Sequence, residues 1–316
     1  MGASGMKLFE RLAIATVIGV FALIVMGGVV RVSGSGLGCP DWPLCQGRAV
    51  PPLERAALIE YSHRLLVSIV SLLVLATAVL AWRRYRGDPW VVAPATIALA
   101  LLLVQAGLGA VAVLGDLDPA VVTAHLGLAL ALLAGTLATA AGALWPRAGL
   151  GPRGRGRVPP LLLAAAGSVY GVMLLGAYIG TSGAGLACLD WPLCHGRVIP
   201  AGGWPWPMYV HFSHRALAAA AAVLVLAVLA QAWLGRHRQP DRLKLAALAA
   251  ALILLQVLLG ALNIWLRTPP ALVVLHLANG SLTWVTLVAM TVLPFQRPRE
   301  VLRPARGRAP LAMGSY

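Results

Sequence analysis

Charged residues are scarce in this sequence, and acidic residues are the scarcest of them. Only 11% of the 316 residues are charged, with 10 Asp and Glu against 25 Lys and Arg, while 59% are hydrophobic. Soluble domains carry roughly 25% charged residues. The lack of charge therefore excludes an ordinary soluble domain and indicates a membrane protein.

Two further absences narrow the class. The first apolar stretch lacks the small-residue cleavage site of a secretory signal peptide and is too long to be one, so we expect it to remain as a membrane anchor. The four cysteines form two pairs that lie far apart in the sequence, and neither has a second pair nearby with the spacing of a zinc finger. This disfavours metal binding by these residues.

Long apolar stretches occur throughout the chain. Eight of them reach the ~20 residues needed to cross the hydrocarbon core of a bilayer. They lie near residues 12–30, 58–82, 91–114, 121–145, 159–180, 209–234, 245–266 and 272–294. The sequence predicts an all-α integral membrane protein with eight transmembrane helices.

The basic residues cluster between particular helices. With eight helices, 18 of the 25 Lys and Arg residues fall on one side of the membrane. They are Lys7, Arg11, Arg83, Arg84, Arg86, Arg147, Arg153, Arg155, Arg157, Arg236, Arg238, Arg242, Lys244, Arg297, Arg299, Arg303, Arg306 and Arg308. The positive-inside rule makes that side cytoplasmic and places both termini there. Topology then explains the net charge of +15, and we expect no nucleic-acid partner.

The chain contains two copies of one unit. Residues 36–48, GLGCPDWPLCQGR, return as GLACLDWPLCHGR at 185–197, an offset of 149. EYSHRLL at 60–66 matches HFSHRAL at 211–217, an offset of 151. Each copy holds four helices, and an even number means that both copies enter the membrane in the same direction.

This duplication predicts the domain organisation. We expect two parallel-repeat four-helix bundles, one at residues 1–150 and one at 151–296, related by an axis along the membrane normal. The Pro-, Gly- and Arg-rich segment 146–160 is the expected linker. Residues 297–316 form a basic cytoplasmic tail.

The repeated loops each carry a pair of cysteines. Both loops connect an odd-numbered helix to an even-numbered one, so they face the extracytoplasmic side, which is oxidising in bacteria. Five residues separate Cys39 from Cys45 and Cys188 from Cys194. A structural disulfide, a redox-active pair that exchanges with a thioredoxin-like partner, and a metal site are the three readings of these pairs.

Four histidines lie near the starts of the even-numbered helices, in the first turns and therefore at one depth: His63, His125, His214 and His276. Polar groups inside a bilayer cost about 2–3 kcal/mol or more when charged, and persist mainly where they face a bundle interior. Imidazoles from two helices of a bundle can clamp an iron porphyrin at both axial positions. We predict one haem site per half. Zinc or copper fits less well, because only Glu60 offers a further ligand at this depth.

Glu60 breaks the symmetry of the repeat. It lies three residues before His63 on the same helical face, and the second copy has His211 at the equivalent position. A carboxylate can simply stabilise a helix N-terminus. It can also stabilise a developing cation or accept a proton during an oxidation, whereas neutral imidazole supplies no negative charge. We infer that the first copy binds the substrate and the second a redox cofactor.

Five other polar residues lie beside these sites. Arg64 and Arg215 directly follow two of the histidines, and either pair with haem propionates or extend to lipid headgroups. Gln105 and Gln256 match between QAGLGA and QVLLGA and are expected to hydrogen-bond between helices. His211 either competes as a ligand or hydrogen-bonds a propionate.

These motifs together resemble one family. They are EYSHR on helix two, HLGLA on helix four, HFSHR on helix six, LHLANG on helix eight and the doubled C-x5-C loop. On these motifs the chain resembles the haem A synthases over about residues 10–295. Proteins of that family convert haem O to haem A by oxidising the C8 methyl of the porphyrin to a formyl group through successive hydroxylations. They serve the maturation of haem-copper oxidases.

The resemblance also implies roles for individual residues. It implies that His214 and His276 ligate a haem b cofactor, that His63 and His125 face the haem O substrate, and that Glu60 is the acidic residue needed for catalysis. It implies a functional Cys39–Cys45 disulfide, and we expect a second one between Cys188 and Cys194. The expected partners are haem O, haem O synthase, and a quinone or other electron acceptor in the cell (plasma) membrane; the sequence is also compatible with a homo-oligomer.

The main alternative function is a di-haem b-type membrane oxidoreductase. Such a protein passes electrons between a quinone and a loop disulfide and leaves both haems chemically unchanged. A pure electron carrier has no need of Glu60. A transporter also fits parallel repeats, but we see no broken helices or mid-membrane charges in the sequence.

Overall fold

A computed structural model describes residues 3–144, 158–199, 202–237 and 239–293 of the protein. Within those ranges the chain forms eight long α-helices, a short 3₁₀ helix (Ala184–Leu186) and no β-strand. The helices are α1 (Ala3–Val32), α2 (Arg55–Arg84), α3 (Pro89–Leu114), α4 (Pro119–Leu144), α5 (Pro160–Thr181), α6 (Trp206–Leu234), α7 (Pro240–Trp265) and α8 (Pro270–Val292). All eight are long and apolar enough to cross a membrane, which confirms the predicted all-α integral membrane fold.

Most helices begin before the apolar stretches that predicted them. α2 begins at Arg55 rather than near residue 58, and α7 at Pro240 rather than near 245. Their first turns hold polar residues and prolines, which a search for apolar runs misses. Helices α3, α4, α5, α7 and α8 each have proline as their first residue. At that position the missing N–H costs nothing and the fixed φ suits a helix.

The helices of each half pack in a closed ring. α1 and α3 both contact α2 and α4, and in the same way α5 and α7 both contact α6 and α8. The halves meet through α1 with α8, α4 with α5, and α4 with α8. The boundary between the halves is therefore built from the first and last helix of each.

Small residues allow close approach where helices cross. A Cβ built on Gly135 of α4 would lie 3.3 Å from the Cβ of Ala98, and one on Gly142 would lie 2.7 Å from the carbonyl oxygen of Trp90, both on α3. Lipid tails are as apolar as leucine, so such van der Waals contact is a main source of helix association in a bilayer. Fully buried side chains such as Leu130 fill the interior.

Several predicted features lie outside the described residues. They are the linker with Arg147, Arg153, Arg155 and Arg157, the boundary at residue 150, Arg238, and the basic tail 297–316. The division into domains and the cytoplasmic placement of both termini stay predictions.

Candidate functional site

The two cysteine loops, 36–48 and 185–197, are held by matching bonds. Cys39 is bonded to Cys45 and Cys188 to Cys194, with Cα–Cα distances of 4.4 and 4.8 Å. Each second cysteine also exchanges two backbone hydrogen bonds with the arginine three residues further on. All four sulfurs are therefore used in disulfides rather than in metal binding.

An aspartate closes the turn in each loop. Asp41 accepts hydrogen bonds from the backbone N–H groups of Gln46 at 2.5 Å and Gly47 at 2.7 Å. Asp190 accepts the two equivalent bonds, both at 2.7 Å. In each loop the bond from the glycine N–H is the main reason that the pKa of the aspartate lies below its ordinary value. Both carboxylates are therefore ionised at neutral pH.

Arg64 and Arg215 connect these loops to the histidine-bearing helices. Arg64 donates to the carbonyl oxygens of Cys39 at 2.7 Å, Asp41 at 2.8 Å and Leu44 at 2.6 Å. Arg215 donates to the equivalent carbonyls of Cys188, Asp190 and Leu193. The predicted extension to lipid headgroups is wrong, because both guanidinium groups bind the loops. Propionate pairing stays a prediction. Each disulfide loop is fixed to the helix residue that directly follows a histidine.

Glu60 is buried and paired with Arg64. Its side chain is 7% exposed, and Oε1 accepts a hydrogen bond from Arg64 Nε at 3.1 Å. The equivalent residue, His211, instead bonds to its own loop. Its Nδ1 lies 3.1 Å from the carbonyl oxygen of Ala184 and 3.4 Å from the backbone nitrogen of Cys188, and it donates to the first or accepts from the second according to its tautomer. The carboxylate is therefore a feature of the first half only.

The four histidines form one pair in each half. His125 lies near His63, and His276 lies near His214. The first histidine of each pair is the ninth residue of its helix and the second is the seventh. The prediction that they lie in the first turns is wrong, because the helices begin earlier. At 1.5 Å per residue the rings lie about 9–12 Å inside the helix starts.

A glycine on the preceding helix faces each histidine ring. The distance from a built Cβ to the ring Cε1 would be 3.7 Å for Gly27 and His63, 3.1 Å for Gly109 and His125, 3.0 Å for Gly176 and His214, and 3.4 Å for Gly260 and His276. The missing side chains let each ring pack against the neighbouring helix. Sequence reasoning missed these glycines, although they match between the halves at the repeat offsets of 149 and 151.

Two glutamines bond to the second histidine of each half, which confirms the predicted hydrogen bonds between helices. Nε2 of Gln105 donates to the carbonyl oxygen of His125, and Nε2 of Gln256 to that of His276, both at 3.0 Å. The halves differ at the ring. Gln105 Nε2 also lies 3.3 Å from His125 Nε2, whereas Gln256 Oε1 accepts a hydrogen bond from Asn279 at 2.7 Å. An amide thus contacts the ring in the first half.

The ring nitrogens fit an iron porphyrin better than a bare metal ion. Nδ1 of His63, His125 and His276 is buried without a hydrogen-bond partner in the described part of the chain, and such groups are uncommon in folded proteins. The same part contains no cluster of three or more His, Cys, Asp or Glu side chains that would hold a metal ion. Two imidazoles suffice for an iron that brings four porphyrin nitrogens, but not for tetrahedral zinc.

A groove of about 480 Å³ lies at the boundary between the halves. It runs between α4 and α5, and its lining is mostly apolar, with Thr123, Tyr170 and Tyr178 as the hydroxyl-bearing residues. The α4 residues that line it fall within 120–127, the same two turns that carry His125. An apolar group therefore has room at the boundary between the halves, on a side of α4 other than the one from which the His125 ring faces Gly109.

These features define a multi-pass, haem-related membrane protein with a duplicated histidine site. The family model of the COX15-CtaA cytochrome oxidase assembly proteins matches residues 10–288. The chain belongs to this family.

Similar proteins with the name heme A synthase occur in several bacteria. The one from Symbiobacterium thermophilum is 32% identical over 272 residues, which cover 81% of this chain and 86% of the relative. The one from Halalkalibacterium halodurans is 34% identical over 235 residues, 72% of this chain and 76% of the relative. The one from Alkalihalophilus pseudofirmus is 28% identical and covers 91% of this chain and 97% of the relative. The resemblance found in the motifs is confirmed.

Proposed function

We propose that this protein is a haem A synthase, which oxidises the C8 methyl of haem O to a formyl group by successive hydroxylations for the maturation of haem-copper oxidases. The observation that carries the proposal is an asymmetry in charge between two matching histidine pairs. The buried carboxylate of Glu60 stands beside the first pair, and His211 stands at that place in the second. The names of the relatives support the same reaction.

The second half is proposed to hold a haem b cofactor between His214 and His276. When bound there, haem b supplies one-electron redox chemistry. The chain itself positions the two imidazoles, since each ring packs against a glycine on the neighbouring helix. Asn279 holds the amide of Gln256, whose Nε2 donates to the backbone rather than to the His276 ring.

The first half is proposed to bind haem O between His63 and His125, with Glu60 as the catalytic residue. Oxidation of a methyl group releases protons, so a base is needed near the reacting carbon. Glu60 lies one turn before His63 on the same face of α2. Within the described residues Arg64 is its ion-pair partner and holds Oε1 at 3.1 Å. The carboxylate is thereby positioned to accept a proton or to stabilise developing positive charge.

The groove between α4 and α5 offers a place for the apolar tail of this substrate. Haem O carries a long farnesyl-derived tail, which gains free energy by staying out of water. The space between α4 and α5 adjoins the same two turns as His125 and is mostly apolar. We place the tail in this groove, where it need not leave the membrane.

The expected topology agrees with the described arginines. Arg83 and Arg84 end α2 and Arg236 follows α6, all at helix ends opposite the disulfide loops. The positive-inside rule then puts the loops outside and both termini in the cytoplasm. The membrane is proposed to be the plasma membrane of the cell. We propose haem O synthase as the supplier of substrate and a quinone or similar molecule as the electron acceptor.

A di-haem b-type oxidoreductase is the second candidate. The observation that favours it is the contact between the Cys39–Cys45 loop and α2. Arg64, which directly follows His63 on that helix, donates hydrogen bonds to the loop. That arrangement suits electron transfer between a disulfide and a haem. This second candidate function does not require the Glu60 carboxylate.

Extraction of haems separates the two candidates. The protein is produced in a host that makes haem O and has no haem A synthase of its own. Chromatography and pyridine haemochrome spectra of the extract then report haems b, O and A. A haem A synthase yields haem A, whereas the oxidoreductase leaves haem O as the end product.

A further inference from the structure

Arg31 reaches from the first half of the protein to the second. It lies in the last turn of α1, and its Nη1 donates a hydrogen bond of 3.0 Å to the carbonyl oxygen of Gly180, in the last turn of α5. The two residues are 149 apart, which is the repeat offset of the loops, so they occupy equivalent positions in the two halves. A Cβ on Gly180 would collide with this guanidinium. The glycine of one half thus leaves room for the arginine of the other.

The guanidinium stands one turn from a histidine ring. Gly176, which faces His214, lies four residues before Gly180 on α5, and residues four apart share a helical face at about 5–6 Å. The Arg31 head therefore occupies the face of α5 against which His214 packs, one turn nearer the outer end. The same spacing occurs on α1, where Gly27, which faces His63, lies four residues before Arg31.

Arg31 has donors that the described chain does not use. Its bond to Gly180 is the one side-chain hydrogen bond that it makes within the described residues, and no carboxylate among them pairs with it. Arg64 and Arg215, the other arginines near the histidines, already bind loop carbonyls. A guanidinium that extended to lipid headgroups would turn away from the protein, whereas Arg31 turns across the boundary to α5. The bond to Gly180 holds the guanidinium at this boundary, where its remaining donors are left for an anionic group.

We propose that Arg31 binds a propionate carboxylate of the haem held by His214 and His276, and so completes the second-half site from the first half. This inference rests on the proposed haem b site. A guanidinium presents paired N–H donors that match a carboxylate. Charged groups are costly in the hydrocarbon, so the propionates of a haem bound here would turn to the outer end of the bundle, where Arg31 lies. The two halves are then not independent haem sites.

A binding cycle tests the contact. Haem b and haem b dimethyl ester, whose propionates carry no charge, are titrated into the wild-type protein and Arg31→Gln, both purified from haem-depleted cells. We expect Arg31→Gln to weaken haem b binding by about tenfold or more, esterification to weaken wild-type binding similarly, and the ester to bind both proteins equally. Arg55→Gln, which removes an exposed arginine at the start of α2, should bind haem b as the wild type does.

The outcomes separate the two levels of the proposal. If Arg31→Gln weakens binding of haem b and of the ester by the same factor, Arg31 does not contact a propionate. If the wild type binds no haem b with a bis-histidine spectrum, the cofactor site itself is wrong. The double variant Arg31→Gly, Gly180→Arg returns a guanidinium to the same gap from α5 and should restore the preference for haem b over its ester. A folded double variant without that preference contradicts the proposal.

Discussion

Arg64 donates a hydrogen bond from Nε to Oε1 of Glu60 at 3.1 Å, and its two other nitrogens donate to three carbonyls of the first disulfide loop. One guanidinium thus fixes both the buried carboxylate and the loop. In the second half Arg215 binds the loop alone, because His211 stands where Glu60 would be. The position of Glu60 therefore depends on the first loop.

Loss of Arg64 should disturb both partners at once. Arg64→Gln removes a charged donor from three carbonyls and from Glu60, and hydrogen bonds to charged groups contribute roughly 1.5–3 kcal/mol. We expect haem A formation to fall at least tenfold and the unfolding temperature to drop, as measured by haem extraction and a thermal melt. Arg48→Gln, an exposed side chain of the same loop, is the control. Wild-type haem A formation in Arg64→Gln would show that Glu60 needs no such support.

The two histidine pairs should respond differently to truncation. His214→Ala and His276→Ala each remove a proposed iron ligand, so the tightly bound b-type absorbance of the purified protein should be lost. His63→Ala should keep that absorbance and lose haem A formation. His195→Ala, in an exposed loop position, serves as the control. Retention of the absorbance in both second-half variants would place the cofactor elsewhere.

The glycine beside His214 offers a test of ring packing. In Gly176→Ala the new Cβ would lie 3.0 Å from the ring Cε1, so the imidazole must shift. We expect an altered low-spin haem spectrum and faster haem loss, although alanine favours the helix by up to about 1 kcal/mol. Gly167→Ala on the same helix meets open space and should raise stability without any spectral change. Identical spectra for the two variants would mean that the ring does not depend on Gly176.

The eight helices and the histidine pairs could be predicted from the sequence. The eight spans follow from apolar length alone, since a bilayer imposes one minimum length on every helix. The histidine pairs follow from the duplication, because two copies of one unit place equivalent residues at equivalent depths. Glu60 was found because it is a carboxylate beside a histidine at a position where the copies differ.

The contacts that support the site were not predictable in the same way. The sequence placed Arg64 next to a histidine, but its partners are loop carbonyls 20–25 residues away along the chain. Such bonds depend on how the loop folds back over α2. The role of Gly176 likewise depends on the crossing of two helices, where the absence of a side chain matters only once its neighbour is known. Helix starts were placed too late, because proline and polar first turns carry no apolar signal.

The most direct test of the account is the haem extract of a Glu60→Gln variant. Glutamine keeps an oxygen that can accept the Arg64 hydrogen bond, but it cannot act as a base. Loss of a general base typically lowers the rate by about a hundredfold or more. Cells that make haem O and this variant should accumulate haem O, while the purified variant keeps its b-type absorbance. Normal haem A yield from Glu60→Gln would contradict the proposed role of the first-half carboxylate.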